Sequence, residues 1–330
     1  MGICMIEGSH WHPLALAQEV DPGPLAACLL GQDLALWRDG ADQVQVFVDR
    51  CPHRGARLSL GQVQGGQLEC AYHGWRFASS GQCVAVPALP SFVPPASHCA
   101  TAYEACEAYG LVWVRMQAGD AALPVFEGEA DGRLRKLNCG PYDVATSAGR
   151  IVENFLDLAH FGFVHEGLLG SRDAPAIDDY RVEATATGLV ASGCKAWQPQ
   201  SNLHSTVPAQ IEYRYEVLAP FCAVLAKQPL ADSVALAGYR ESIALFICPM
   251  LPELSRVWFR LAVADDQSSD QALRDFQDRI FMQDRPVLES QTPRCLPLAM
   301  DAERHSAADK ASSMYRRHLR ALGASFGVIP

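Results

Sequence analysis

Cys51-Pro-His53-Arg-Gly55 and Cys70-Ala-Tyr72-His73-Gly74-Trp75 decide how this chain is read. A Cys-x-His pair meets a Cys-x2-His pair across sixteen intervening residues. Two thiolates and two imidazoles suit a [2Fe–2S] centre in which one iron takes the cysteines and the other the histidines. Exchanging two thiolates for neutral rings removes negative charge and raises the reduction potential. Tetrahedral zinc also accepts two Cys and two His, but zinc motifs usually pair Cys with Cys and His with His along the chain. One of each per loop favours the cluster. Gly74 frees the backbone to wrap it, and Tyr72 and Trp75 are placed to shield it from water.

A second constellation follows at Asn154-Phe-Leu-Asp157-Leu-Ala-His160-Phe-Gly162-Phe-Val-His165. Helical spacing puts Asn154, Asp157 and His160 on one face. His165 falls about 140° away from His160 on an ideal helix, so Gly162 is the expected point of departure from regular geometry, by a bulge or an early helix end. Two histidines and a carboxylate with open positions opposite form the facial triad of non-haem iron oxygenases. The carboxylate has to come from elsewhere in the chain.

With these motifs the chain resembles a Rieske non-haem iron oxygenase, terminal (α) component, from Trp11-His-Pro-Leu to Tyr315-Arg-Arg. Its length is similar to that of the monooxygenase and demethylase group: dicamba and vanillate O-demethylases, toluenesulfonate methyl-monooxygenase and the saxitoxin-pathway hydroxylases. Arg279-Ile-Phe-Met-Gln-Asp284-Arg-Pro-Val-Leu-Glu289-Ser-Gln291 resembles the family's C-terminal helix. The resemblance makes Asp284 the third iron ligand, ahead of Asp275 and Asp278, and leaves Glu289 a supporting or structural role. It implies a [2Fe–2S] cluster on Cys51, His53, Cys70 and His73, and mononuclear Fe(II) on His160, His165 and Asp284. O2 is the cosubstrate, and electrons come from an NAD(P)H-dependent reductase, directly or through a ferredoxin. It implies hydroxylation of a C–H bond of a small organic substrate, with O- or N-demethylation where the carbon bears oxygen or nitrogen. Aromatic-ring cis-dihydroxylation and electron transfer without oxygenase activity are the alternatives. In the family's head-to-tail homotrimer, Asp157 matches the aspartate that links a neighbour's cluster histidine (His73 by position) to His160. Asn154 stands beside the iron or caps a helix.

The expected fold class is α+β: an antiparallel β domain carrying the cluster (residues 1–138), then a catalytic domain of helices over an antiparallel sheet (139–330). Leu34-Ala-Leu-Trp-Arg, Val44-Gln-Val-Phe-Val and Leu111-Val-Trp-Val-Arg read as strands of the first domain. In the second, helices are expected near 150–161, 271–290 and 307–322, with Pro286 interrupting the middle one. Strands are expected over 180–187, 209–217, 234–246 and 256–264. His204, Tyr213, Arg214, Arg240 and Trp258 are candidate pocket contacts, and Phe155, Phe161, Phe163 and Met282 candidate apolar lining. Arg50, Arg54, Arg57 and Arg76 make a basic sequence around the cluster that either docks an acidic redox partner or pairs with local carboxylates.

Net charge is −10 over 330 residues, which argues against a nucleic-acid partner. No apolar run approaches 18 residues, so no membrane helix is expected. The ten cysteines outside the cluster loops are scattered and read as reduced, small hydrophobic residues, which fits a cytoplasmic location.

Overall fold

Period-two alternation of apolar side chains builds most of this molecule. The computed structural model describes residues 5–21, 23–200, 203, 207–229 and 241–330. They divide into two units: Gly8–Ala122, and Leu123–Pro330 with the chain start up to Glu7. The start belongs with the second unit because the buried Glu7 carboxylate accepts from the amides of Ser325 and Phe326 at 2.6 and 2.8 Å. Residues 123–138 also group with the second unit, although their sequence reads with the first. The reason is pairing, since the strand that starts at Arg135 hydrogen-bonds along its length to Leu254–Val263.

In the first unit β1 (His12–Leu16), β2 (Leu25–Leu29), β3 (Gln32–Arg38) and β4 (Val44–Val48) precede an insert of four short strands. These are β5 (Gln62–Gln64), β6 (Gln67–Glu69), β7 (Arg76–Phe77) and β8 (Cys83–Ala85); β9 (Ala102–Ala108) and β10 (Leu111–Arg115) follow. The long strands form one sheet in the order β1-β10-β9-β4-β3-β2, and the insert forms its own sheet. Trp37, Phe47, Leu58, Leu68 and Phe77 pack into one buried cluster with Cys51 and Cys70. The two Cys/His loops leave β4 and β6 and are anchored by that core.

The second unit is a seven-stranded antiparallel sheet: β11 (Arg135–Val144), β12 (Arg181–Ala184), β13 (Leu189–Gln198), β14 (Ala209–Ala219), β15 (Cys222–Pro229), β16 (Glu241–Leu251) and β17 (Leu254–Val263), in the order β11-β17-β16-β15-β14-β13-β12. Its core face receives α2 (Ala148–Phe155), α4 (Asp270–Ser290) and α5 (Lys310–Leu322); α1 (Glu127–Ala130) and α3 (Phe161–Val164) are single turns. The expected α+β layout is what forms. Sequence missed β11, β13 and β15, and residues 234–240 of one expected strand lie outside the described residues.

Two local expectations are corrected. The helix expected over 150–161 ends at Phe155, so Asp157 and His160 do not share a helical face with Asn154. Pro286 does not interrupt its helix, which runs unbroken over 21 residues. Pro286 and Met282, one turn before it, are both exposed. The carbonyl that loses its amide partner therefore faces water, and the penalty of an interior proline is softened.

Candidate active site and redox centre

The histidine pair is positioned by a broken helix. After α2 the Asp157 amide donates to the Asn154 carbonyl at 3.1 Å, and Asp157 Oδ1 accepts from the Ala159 amide at 2.8 Å. That side-chain turn competes with helix continuation and redirects the chain. His160 then precedes the single turn α3 and His165 follows it, its amide donating to Phe161 at 3.1 Å. Two rings on opposite ends of one short turn can converge although their spacing is five. Gly162 sits where a Cβ would meet the Ser171 carbonyl oxygen at 2.8 Å, so the turn packs on backbone and accepts no larger residue.

His160 Nε2 and His165 Nε2 are 3.2 Å apart, and Asp284 Oδ1 on α4 lies 3.4 and 3.1 Å from them. These three are the only such group of donors that close on one point among the described residues. A cation about 2.1 Å from each donor sets the donors roughly 3.0 Å apart on an octahedral face and roughly 3.4 Å apart on a tetrahedral one. The observed triangle lies within that span, so the donor set fits a metal. His160 Nδ1 faces Asp157 Oδ2 at 3.1 Å, and His165 Nδ1 faces Gln283 Oε1 at 2.9 Å. Each contact assigns the ring proton to Nδ1 and leaves an Nε2 lone pair for the metal. Asn154 donates to Asp284 Oδ1 at 3.3 Å, which places it beside the triad and not at a cap. Burial alone would raise the Asp284 carboxyl, but the two imidazoles hold it down to about 2. Burial alone would lower His160, yet Asp157 and then Asp284 push it up to about 9. The site concentrates negative potential where a cation belongs.

Sequence reasoning did not find Gln283. A glutamine next to Asp284 on a helix carries no local signal, and its partner is 118 residues away. Asp278 accepts instead from the Tyr142 hydroxyl and Asp275 from Gln271 at 2.7 Å. Glu289 accepts from the Ala145 amide at 3.1 Å and pairs with Arg285 at 3.0 Å.

A cavity of about 80 Å³ adjoins the triad. Phe155, Phe161 and Tyr213 line it as expected. Phe163 and Met282 do not: they are 49 and 46% exposed. Trp258 is buried and is not among the lining residues, and Arg214 pairs with Glu216 at 2.8 Å on the opposite face of β14. His204 and Arg240 lie outside the described residues. Tyr215, Lys227, Glu241 and Gln277 are lining residues that the sequence did not single out. His160 and Asn154 also line a second, outward cleft together with Asp157.

In the first unit the two cluster loops repeat one hydrogen-bond pattern. Cys51 N donates to Ala56 at 2.7 Å and Gly55 N to Cys51 at 2.9 Å; Cys70 N donates to Trp75 at 2.9 Å and Gly74 N to Cys70 at 3.0 Å. Gly55 and Gly74 hold φ of +74° and +67°, which side-chain-bearing residues rarely adopt. Both cysteines are buried, and the His53 and His73 rings are 4.5 Å apart. His53 Nδ1 is buried without a hydrogen-bond partner among the described residues. Burial, with a smaller contribution from the facing Cys70, pushes the Cys51 thiol up to about 11. A buried orphan nitrogen, and a Cys51 thiol that resists ionisation beside a second cysteine, fit residues that await a cationic iron centre. Trp75 stacks on His53 at 4.5 Å and on His98 at 5.1 Å; Tyr72 packs on His73 but remains exposed. Of the basic sequence, Arg57 pairs with Asp33 at 3.4 Å and Arg76 with Glu69 at 3.1 Å.

Paired Cys/His loops on a β domain and a two-His, one-Asp triad under a helix-covered sheet define the Rieske-type non-haem iron oxygenases. The chain matches the Rieske [2Fe-2S] domain over residues 10–103 and the vanillate O-demethylase oxygenase C-terminal domain over residues 144–325. It belongs to that family. Methylxanthine N1-demethylase NdmA of Pseudomonas putida is 31% identical over 326 residues, covering 94% of this chain and 88% of that one. A probable methylxanthine N7-demethylase, NdmC, of a Pseudomonas strain is 38% identical over 224 residues, covering 66 and 77%. The structure of Pseudomonas putida NdmA with caffeine superposes with a TM-score of 0.81 at 29% identity, covering 96 and 90%. That of dicamba monooxygenase with dicamba gives 0.80 at 24% identity, covering 97 and 98%, a likeness of fold alone. The protein is thus a terminal oxygenase that uses a [2Fe–2S] cluster, mononuclear iron, O2 and electrons from an NAD(P)H reductase to hydroxylate a small organic substrate. No helix among the described residues is long and apolar enough to cross a membrane.

Proposed function

We propose that the chain is a cytoplasmic, homotrimeric N-demethylase of a small, neutral, planar heterocycle, with iron on His160, His165 and Asp284 and the cluster on Cys51, His53, Cys70 and His73. The observation that carries this reading is the convergence of three donors on the wall of a cavity whose lining includes Phe155, Phe161, Phe259 and Phe281. The demethylase names of the relatives that span most of the chain favour a methyl carbon as the target. When bound, the cluster supplies single electrons and the iron activates O2. The protein's part is positional. Asp157 and Gln283 fix the two imidazoles, Asn154 steadies the Asp284 carboxylate, and the aromatic wall holds a flat ring and excludes water. One oxygen atom enters the N–CH3 carbon, the other leaves as water with two electrons and two protons, and the carbinolamine collapses to the N–H heterocycle and formaldehyde. Asp157, 26% exposed at its side chain and lining an outward cleft, is accessible to a neighbour's His73.

Formaldehyde release under 18O2 from a panel of N- and O-methyl rings tests the reaction, with label expected in formaldehyde trapped at once. His160→Ala, His165→Ala or Asp284→Ala should each abolish it and remove only the iron not bound to sulfide, with the cluster spectrum intact. A vicinal diol carrying both atoms of one O2 overturns the reading. Full iron occupancy and activity in Asp284→Ala overturns the third ligand.

A further inference from the structure

Among the described residues, the core face of the seven-stranded sheet carries charged side chains in one transverse row. Tyr215, Leu225, Ile243 and Leu261 are successive partners across β14, β15, β16 and β17. One row along, Tyr213 faces Lys227 and Lys227 faces Glu241. The phase of β15 (Ala223, Leu225, Lys227) and of β16 (Glu241, Ile243, Leu245) puts both charges where an apolar side chain is expected. They pair at 2.6 Å with side chains 7 and 10% exposed, and both line the cavity that the triad closes.

An ion pair buried in such a position is commonly no more stable than well-packed apolar residues of the same volume. Its presence on the cavity wall therefore calls for a use other than stability. Gln198, fully buried on β13, donates to the Tyr213 hydroxyl and so extends the polar row. Independently, the Tyr215 hydroxyl, on a fully buried side chain that lines the same cavity, has no hydrogen-bond partner among the described residues. An unsatisfied buried hydroxyl costs stability unless a ligand completes it. Burial alone would lower the Lys227 ammonium, but Glu241 and then Tyr213 keep it above its usual range, so it stays a cationic donor.

We propose that the Lys227–Glu241 pair, with the Tyr213 and Tyr215 hydroxyls, is the substrate-orienting edge of the cavity and selects neutral rings with a cyclic amide, imide or urea edge. This rests on the oxygenase reading of the same cavity. A ring carbonyl accepts from the ammonium or a tyrosine O–H, and an adjacent ring N–H donates to the carboxylate. The two side chains carry opposite charges, so a free carboxylate or amine on the substrate would have to compete with their mutual pairing. Held by this edge, a planar ring lies against the aromatic wall in one orientation, which decides which N-methyl group faces the triad.

The test compares theobromine, which has ring carbonyls and an N–H, with 1-methylindole, a bicycle of similar size with neither. Equilibrium dialysis on holoenzyme gives their dissociation constants, and formaldehyde release with the reductase gives turnover. The apolar double variant Lys227→Met/Glu241→Leu should fold, because the pair is removed as a unit. It should lose about 10- to 100-fold of the preference for theobromine over 1-methylindole, the worth of one hydrogen bond to a charged group. Lys227→Arg, which keeps a cationic donor, should retain most of that preference. An unchanged ratio in the double variant, or a wild type that binds neither probe or prefers 1-methylindole, overturns the proposal. Selective theobromine binding without formaldehyde sinks the N-demethylase reading and leaves the recognition edge standing.

Discussion

Gln283→Leu isolates what the protein adds to the histidine pair. His165 is 2% exposed at its side chain, and its Nδ1 has the Gln283 carbonyl oxygen at 2.9 Å. Leucine keeps the helix and much of the volume but offers no acceptor. The buried Nδ1–H then loses its partner, at a cost of about 1–3 kcal/mol that water cannot repay in so closed a site. The imidazole is also freed to place its proton on Nε2, where it blocks the metal. Partners of this kind are worth about 10- to 100-fold in metal affinity, or roughly 1.4 to 2.7 kcal/mol, so the two routes agree. Titration of iron-depleted protein with chelator-buffered Fe(II) should therefore show an affinity weakened about 10- to 100-fold. The cluster absorbance serves as the internal control, since its ligands lie in the other unit. Gln283→Glu also accepts from Nδ1–H and should bind iron nearly as well as wild type. If Gln283→Leu binds iron with wild-type affinity, the glutamine does not set the His165 tautomer and the reasoning fails.

Asp157→Asn should keep both metal centres and the assembly but lose most turnover, with the cluster still reducible by dithionite; mixed assemblies of Cys51 and His160 variants should recover part of the activity. Full activity in Asp157→Asn, or none in verified mixed assemblies, refutes a route between subunits. Glu303 pairs with Arg150 at 2.6 Å and with Arg316 at 2.6 Å, and these partners hold its carboxyl down to about 2 from an ordinary 4.5. Its folded-state value is depressed, so its contribution is fully present above the unfolded value and fades as pH falls from about 4.5 through about 2. The gap in urea midpoint between wild type and Glu303→Gln should narrow over that window, and a gap independent of pH would contradict the assignment.

The parts of this molecule that could be read from sequence are those whose chemistry is local. Cys51-x-His53 and Cys70-x2-His73 are short enough that spacing alone points to a candidate ligand set, and the structure gives both loops the same closing hydrogen bonds. The histidine pair was legible in identity but not in geometry. Periodicity extends a helix through Asp157 and His160, whereas the Asp157 carboxylate captures the Ala159 amide and ends it. A hydrophobic pattern does not report a side chain that competes with the backbone for its own turn. Asp284 was reached by resemblance, since nothing near it in sequence separates it from Asp275 or Asp278. Their difference lies in what stands opposite: two imidazoles for Asp284, the Tyr142 hydroxyl for Asp278 and Gln271 for Asp275.

Lys227 and Glu241 illustrate the reverse case, in which the signal was present but needed the register to be seen. Alone, a lysine two residues past Leu225 looks like a strand end turning to solvent. Only the pairing of β15 with β14 and β16 shows that it continues the core-facing phase and meets Glu241 and Tyr213 across the sheet. A sheet that buries charge on its core face gives up part of the benefit of that face. Among the described residues it does so here along one row, and that row borders a cavity that His160, His165 and Asp284 also line. Stability would favour apolar residues at these positions, and recognition of a polar ring edge would favour those the chain carries. The same reasoning applies to the Tyr215 hydroxyl, since phenylalanine there would bury the same ring without an unmet hydrogen bond. These departures from the apolar pattern lie on separate strands, β14, β15 and β16, and converge on a single space. Convergence of that kind is expected when a ligand, not the fold, specifies the residues.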